Sequence, residues 1–261
     1  MRIAIDGLDA FAATGGKDFN PALPLAVLIH GAGLESSVWA QHSRWLAHHG
    51  WSVLAVDLPG HGRSTGTPLP SIPAMADWVM KVVEAVGLPK ATLIGHSMGS
   101  LVALDAAARQ PAKVSSLALI GTAAAMPVHA DLLAAAEANA PTALDMINLW
   151  GYGSHATQGG SLAPGLWMLG TAMRVLERAK PGVLHNDLAA CANYGDGAKA
   201  AAKVTCPTTL VLGQRDLMTP LKAGKTLAAA IAGARLVVLE GAGHMLMAER
   251  PDEVLDALRG L

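Results

Sequence analysis

An α/β fold is what this sequence predicts, with a mostly parallel central sheet flanked by helices and a helical insertion late in the chain. Three patterns say so. Short apolar runs recur without alternation, as strands buried on both faces do. Segments of helical period separate them, the order expected of strand–helix–strand units. Between about residues 122 and 203 the strand pattern stops and Ala-rich helical stretches take over.

Taken from the N-terminus, Ile3, Ile5, Leu8 and Ala10 alternate around Asp6 and Gly7, the mark of an antiparallel edge hairpin. Leu25–Ile29 and Ser52–Val56 are the first buried runs, with a helical run that takes in His48 and His49 between them. Ile72, Met75, Trp78, Val79, Val82, Val83 and Val86 then follow a helical period, with Pro73 near the start and Gly87 just past the end. Ala91–Ile94 and Leu117–Ile120 are further buried runs, joined by a helical run from Leu101 to Arg109. In the insertion, Leu132–Ala140, Ala143–Trp150, Leu166–Ala179 and Leu188–Tyr194 read as helices. Gly151, Gly153, Gly159–Gly160, Pro164–Gly165 and Pro181–Gly182 punctuate them as turns. The strand pattern resumes after Pro207 with Thr209–Leu212 and Leu236–Leu239. The expected division is therefore a core domain from residues 1–121 and 204–261, with residues 122–203 as a helical cap.

Composition narrows the function classes. The chain has 261 residues, 52% of them hydrophobic and 15% charged, which excludes a disordered or solvating protein. A chain of this length buries roughly three quarters of its unfolded surface and needs no disulfide or metal to hold together. Nineteen basic against 20 acidic residues, a formal net charge of -1, leave no electrostatic footprint for nucleic acid. No run reaches the ~20 apolar residues that span a bilayer, and Asp6 interrupts what would be the apolar segment of a signal peptide. Cys191 and Cys206 have no Cys or His partner at metal-ligand spacing and read as small packed hydrophobes. A cytoplasmic protein with no membrane or nucleic-acid partner is the expectation.

The sharpest motif is Gly95-His96-Ser97-Met98-Gly99, set between a buried strand and a helix. Gly-x-Ser-x-Gly in that setting describes a nucleophile elbow, with the serine on a strained turn and glycines letting strand and helix approach closely. A serine hydroxyl is a poor nucleophile at neutral pH, so a base and a group that orients the base should follow. Asp216 stands just past the strand Thr209–Leu212, and His244 just past the strand Leu236–Leu239. Parallel strands bring their C-terminal ends to one rim, so Ser97, Asp216 and His244 should meet there from three separate strands. The loop His30-Gly31-Ala32-Gly33 also follows a strand, and it supplies the backbone N–H of Ala32 to an oxyanion hole completed by the N–H of Met98.

With those blocks, and the turn Asp57-Leu58-Pro59-Gly60-His61-Gly62-Arg63-Ser64, the sequence resembles the α/β-hydrolase superfamily, cap-bearing branch, along its whole length. The resemblance implies the fold, the triad Ser97, Asp216 and His244, and a reaction without metal or organic cofactor. A serine at position 97 separates the chain from relatives with an aspartate nucleophile. Some relatives carry the acid one strand earlier, but Ile120-Gly121-Thr122-Ala123 offers no carboxylate. The substrate is not written in these motifs. The few charges of the insertion, with its Ala, Leu, Met and Trp content, point to a carboxylesterase for small to medium uncharged esters. The rivals are cleavage of a lactone or of a carbon–carbon bond beside a carbonyl, and a slow-turnover signalling receptor.

The remaining candidates have blander readings. His61 and His96 sit in tight turns where an imidazole satisfies backbone groups, Asp57 caps the Pro59–Gly60 turn, and His42 reads as surface. Ser100 reads as tolerated packing. Trp150, Trp167, Met146, Met168 and Met173 could line an acyl pocket but suit the interior of the cap better; Trp39 is slightly better placed.

Overall fold

The computed structural model of the chain describes residues 1–161 and 167–261. Among these residues eight strands form one sheet in the order β1–β2–β4–β3–β5–β6–β7–β8. They are β1 (Arg2–Ile5), β2 (Leu8–Ala13), β3 (Leu25–Ile29), β4 (Ser52–Val56), β5 (Ala91–His96), β6 (Val114–Ile120), β7 (Thr208–Gly213) and β8 (Arg235–Leu239). The hairpin β1–β2 is antiparallel, as is the pairing of β2 with β4; every later pairing is parallel. Asp6 and Gly7 both take positive φ, 50° and 79°, which suits the two-residue turn of a twisted hairpin.

β3, β4, β5 and β7 are buried at every residue, which is why their sequences do not alternate. β8 differs from its expectation. Its run is apolar, yet Arg235 and Leu236 are exposed, because as the edge strand it pairs only with β7. Helices α1 (Ala40–His48) and α12 (Pro251–Leu258) cover one face of the sheet, and α2 (Ile72–Ala85) and α3 (Met98–Arg109) the other. Ser71 caps α2 by accepting the Ala74 amide at 3.3 Å, ahead of Pro73 in the first turn.

Between β6 and β7 the chain forms α4 (Ala130–Glu137), α5 (Pro141–Gly151), α6 (Ser154–Thr157), α7 (Met168–Leu176), α8 (Val183–Ala192) and α9 (Gly197–Ala201). Leu166, expected to open a helix, and the Pro164–Gly165 turn lie outside the described residues. Leu132, Ile147, Ala172, Leu176, Leu184 and Leu188 pack together into a small core of their own, joined by Leu34 and Met245 from the loops beneath. After β7 come α10 (Leu221–Ala230) and, beyond β8, α11 (Leu246–Glu249). No helix among the described residues is long and apolar enough to cross a membrane.

Strand order places the site. The chain runs from β3 out to β4, then returns to the other side of β3 for β5. Open α/β sheets leave a crevice at such a switch, outside the carboxyl ends of the strands. Ile29 pairs with Gly95, His96 with Ile120 and Ile120 with Val211, so the loops after β3, β5, β6 and β7 start level.

Two other expectations change. His42, read as surface, is fully buried on α1 with its ring edge-on to Trp39 at 5.8 Å. Trp39 is fully buried in the core on one face of the sheet and lines neither the cavity at Ser97 nor the one beside it. Both follow from the Ser36–Trp39 turn and the His42–Leu46 side of α1 facing the sheet.

Candidate active site

Ser97 sits between β5 and α3 with φ 52° and ψ −121°, a conformation that costs about 1–3 kcal/mol for a side-chain-bearing residue. The turn is that tight because strand and helix touch. A Cβ on Gly95 would lie 2.1 Å from the Gly99 carbonyl oxygen, and one on Gly99 would lie 2.2 Å from that of Ile29. Ser97 donates its own amide to Ile120 at 2.9 Å. Ser100 does more than pack: its hydroxyl donates to the Ser97 carbonyl at 2.6 Å and contacts the Thr122 hydroxyl at 2.8 Å, bracing the turn.

Asp216 and His244 meet as their strands predict. Nδ1 of His244 lies 2.8 Å from Oδ2 of Asp216, with both side chains almost fully buried. The carboxylate accepts the amides of Met218 and Thr219 at 2.8 Å each, and the Thr219 hydroxyl at 2.7 Å. Burial would raise the Asp216 pKa, but the charge and hydrogen bond of His244 and the Thr219 bonds outweigh it and hold the group below the usual carboxylate range. Asp216 is an acceptor only, so Nδ1 of His244 carries a proton, and in the neutral tautomer that this fixes the lone pair is on Nε2. Nε2 is buried and has no hydrogen-bond partner among the described residues. It faces the same cavity as Ser97.

The histidine loop is tied from two sides. The amides of His244 and Met245 both donate to the Gly151 carbonyl at 2.9 Å, at the end of α5. The buried carboxylate of Glu249 accepts the Gly243 amide at 3.0 Å and the Gly153 amide at 2.9 Å. His96 lies against the other side, with Nε2 donating to the His244 carbonyl at 2.9 Å and the two rings 4.8 Å apart. Burial pushes the His96 pKa down to about 3, so it stays neutral and serves the backbone, as read from the turn.

Across the cavity is the loop after β3. Neither the Ala32 nor the Met98 amide meets an acceptor among the described residues, whereas their neighbours Gly33 and Ser97 both donate. Gly33 donates at 2.9 Å to Oδ2 of Asp187 on α8, and the same oxygen lies 2.8 Å from Nε2 of His61. Asp57 accepts the Ser36 amide at 2.7 Å and the Arg63 amide at 2.8 Å, holding two loops where one turn was expected.

The cavity these groups share is about 330 Å³ and apolar. Met126, Val128, Leu132, Ile147, Trp150, Leu188, Leu217 and Met218 line it, and no Asp, Glu, Lys or Arg does. Of the aromatic and Met candidates in the insertion, Trp150 reaches it; Met168 lines a separate cavity, and Trp167 is 72% exposed. Asp187, Thr219 and Glu249 were not singled out by sequence. Thr219 lies three residues past Asp216, a local signal that was available; the other two act across the fold. Among the described residues no group of three or more His, Cys, Asp or Glu side chains could hold a metal ion.

Comparison with known proteins agrees with this architecture. Residues 26–257 match the model of the alpha/beta hydrolase family. The chain is 33% identical over 238 residues to a pimeloyl-[acyl-carrier protein] methyl ester esterase of Neisseria meningitidis, covering 87% of this chain and 73% of that one. It is 26% identical over 242 residues to an (E)-2-((N-methylformamido)methylene)succinate hydrolase of Acinetobacter baylyi, covering 89% and 88%. The enol-lactonase from Burkholderia xenovorans LB400 superposes with a TM-score of 0.88 at 25% identity, covering 100% of this chain and 98% of that one. The protein belongs to the alpha/beta hydrolase family. It is a hydrolase, and carboxylic ester hydrolysis fits its relatives.

Proposed function

We propose that the chain is a serine carboxylesterase for small to medium uncharged carboxylic esters, working through an acyl-enzyme on Ser97. The observation that carries this reading is the cavity: apolar, free of charged lining residues, and bounded by Ser97 and the unpartnered Nε2 of His244. His244 Nε2 takes the Ser97 proton as the serine oxygen attacks the ester carbonyl. The Ala32 and Met98 amides receive the oxyanion, and a free amide at the start of α3 carries the added field of the helix N-terminus. Asp216 fixes the ring tautomer and stabilises the imidazolium as it forms. His244 then protonates the leaving alcohol, and water hydrolyses the acyl-enzyme by the same route.

The charge-free lining discriminates among the relatives' substrates. A carboxylate held in the cavity would lose its hydration with no Lys or Arg among the described lining residues to replace it, at a cost of several kcal/mol. A methyl ester on a medium acyl chain, the group named for the Neisseria relative, carries no such charge at the reacting end. A lactone is an internal ester and the same groups would open it, which the enol-lactonase likeness favours as a second reading. Hydrolysis of nitrophenyl esters from acetate to dodecanoate tests the proposal. The expected result is one favoured chain length and loss of activity in Ser97→Ala. A preference for dicarboxylate esters, or for lactones over all of these, would contradict it.

A further inference from the structure

A second buried histidine–carboxylate pair lies behind the oxyanion loop. Asp187 is fully buried on α8, and one of its oxygens, Oδ2, accepts the Gly33 amide at 2.9 Å and faces His61 Nε2 at 2.8 Å. Its other oxygen accepts the Asn186 side-chain amide at 3.2 Å. His61 Nδ1 faces the Pro59 carbonyl at 3.0 Å. Both ring nitrogens of His61 thus point at atoms that can only accept, so both carry protons and the ring is an imidazolium. His30 is its opposite. The two rings lie 4.8 Å apart, but His30 Nε2 accepts the Leu58 amide at 3.1 Å while Nδ1 faces the Gly31 carbonyl, which leaves it neutral.

We propose that the Asp187–His61 pair is a latch that fixes the oxyanion loop, with Asp187 a positioning residue that orients the Ala32 amide through its neighbour Gly33. The inference rests on the reading of Ala32 as an oxyanion donor. Asp187 comes from the helices between β6 and β7, while Gly33 and His61 come from the loops after β3 and β4. One oxygen therefore ties three segments together beside the reacting centre. A displacement of about 1 Å in such a donor costs on the order of 100-fold in rate. Asparagine at 187 keeps one oxygen that can accept from Gly33 and His61, but its NH2 group then meets the Asn186 side-chain amide donor to donor, and the charge that holds His61 is gone.

The latch is sensitive to alkali. When the ring deprotonates it gives up the Nδ1 proton, because Nε2 faces the carboxylate; Nδ1 then turns a lone pair on the Pro59 carbonyl, and the charge that strengthens the Asp187 contact is lost. The charged and titratable groups acting on the ring are His30 after β3, Asp57 at the start of its own loop and Asp187 on α8, with the buried Cys191 one turn along that helix beside Asp187. Burial opposes the charge on His61, but the hydrogen bond and charge of Asp187 outweigh it and hold the ring above the ordinary histidine value.

Phosphonylation of Ser97 by a neutral nitrophenyl phosphonate reads the oxyanion hole without requiring the right ester. Its rate is to be followed from pH 6 to 9 in wild type, Asp187→Asn and His61→Gln, separating the maximal rate from the binding constant. Asp187→Asn should lower the maximal rate at least 10-fold with little change in binding. The wild-type rate should fall on the alkaline side, and that fall should vanish in His61→Gln, which donates to Asp187 without titrating. A wild-type maximal rate in Asp187→Asn, or an alkaline fall that persists in His61→Gln, overturns the latch. Should Asp187→Asn fail to fold, the His61→Gln profile decides alone. A wild type that does not label at all removes the Ser97 reading and the latch with it.

Discussion

The two buried histidine–aspartate pairs, His244–Asp216 and His61–Asp187, have the same 2.8 Å contact and side chains at most 2% exposed. What separates them is the second ring nitrogen. In His244 it has no partner among the described residues and opens on the cavity; in His61 it is bonded to the Pro59 carbonyl. A histidine needs a free lone pair to take a proton, so the same pairing suits the base we propose in one place and the fixed cation of the proposed latch in the other. The carboxylates differ too. Asp216 holds a loop of its own strand through Met218 and Thr219, whereas Asp187 reaches across the chain to Gly33.

The largest expected effect comes from Asp216→Asn. The asparagine would stabilise the wrong His244 tautomer, and kcat for a favoured nitrophenyl ester should fall about 10⁴-fold with the fold intact by circular dichroism. Asp187→Ala should cost stability as well as rate. Removing one partner of a buried pair leaves an uncompensated charge, and urea unfolding should show a loss of about 3–5 kcal/mol. If Asp187→Ala matched Asp216→Asn in kcat at full stability, the distinction drawn between the pairs would collapse.

The pairs should also respond to pH in opposite directions. Asp216 has a lowered pKa in the folded state, so its stabilisation is present above about pH 3.9, the unfolded value, and is lost as pH falls through the folded value. His61 has a raised one, so its stabilisation is complete below about pH 6.5 and is lost as pH rises through the folded value. The neutral histidines add an acid-side loss. Burial lowers His30 and His42 to about 4 and His96 to about 3, and each binds a proton in the unfolded chain near pH 6.5. Melting temperature should therefore decline from about pH 6.5 towards 4, and His42→Gln should soften that decline. A smaller effect belongs to Trp150→Ala, which enlarges the cavity and should move the preferred acyl chain longer by a few carbons. An unchanged chain-length profile would remove Trp150 from the acyl pocket.

Much of the fold and the three candidate catalytic side chains were legible because each rests on a local pattern. Buried parallel strands write themselves as unbroken apolar runs, and Ser97, Asp216 and His244 each stand just past one. What stayed hidden depends on tertiary neighbours. Asp187 is one acid in an Ala-rich helix until the fold sets it against Gly33, 154 positions away in sequence. Glu249 likewise gains its role from Gly153, 96 positions away. His42 and Trp39 were misplaced because the short helix α1 and the turn before it do not announce which side meets the sheet. Leu236 was misplaced for the reverse reason, since an apolar run says nothing about whether its strand lies at an edge.

In the proposed reaction the acyl group is carried by Ser97 Oγ. Stopped-flow hydrolysis of a nitrophenyl ester of the favoured chain length tests this most directly. Wild type should release a burst of one nitrophenol per enzyme ahead of the steady state, with a matching acyl adduct on Ser97 by mass spectrometry, and Ser97→Ala should show neither. Continued turnover in Ser97→Ala, or an adduct on any other residue, would contradict it.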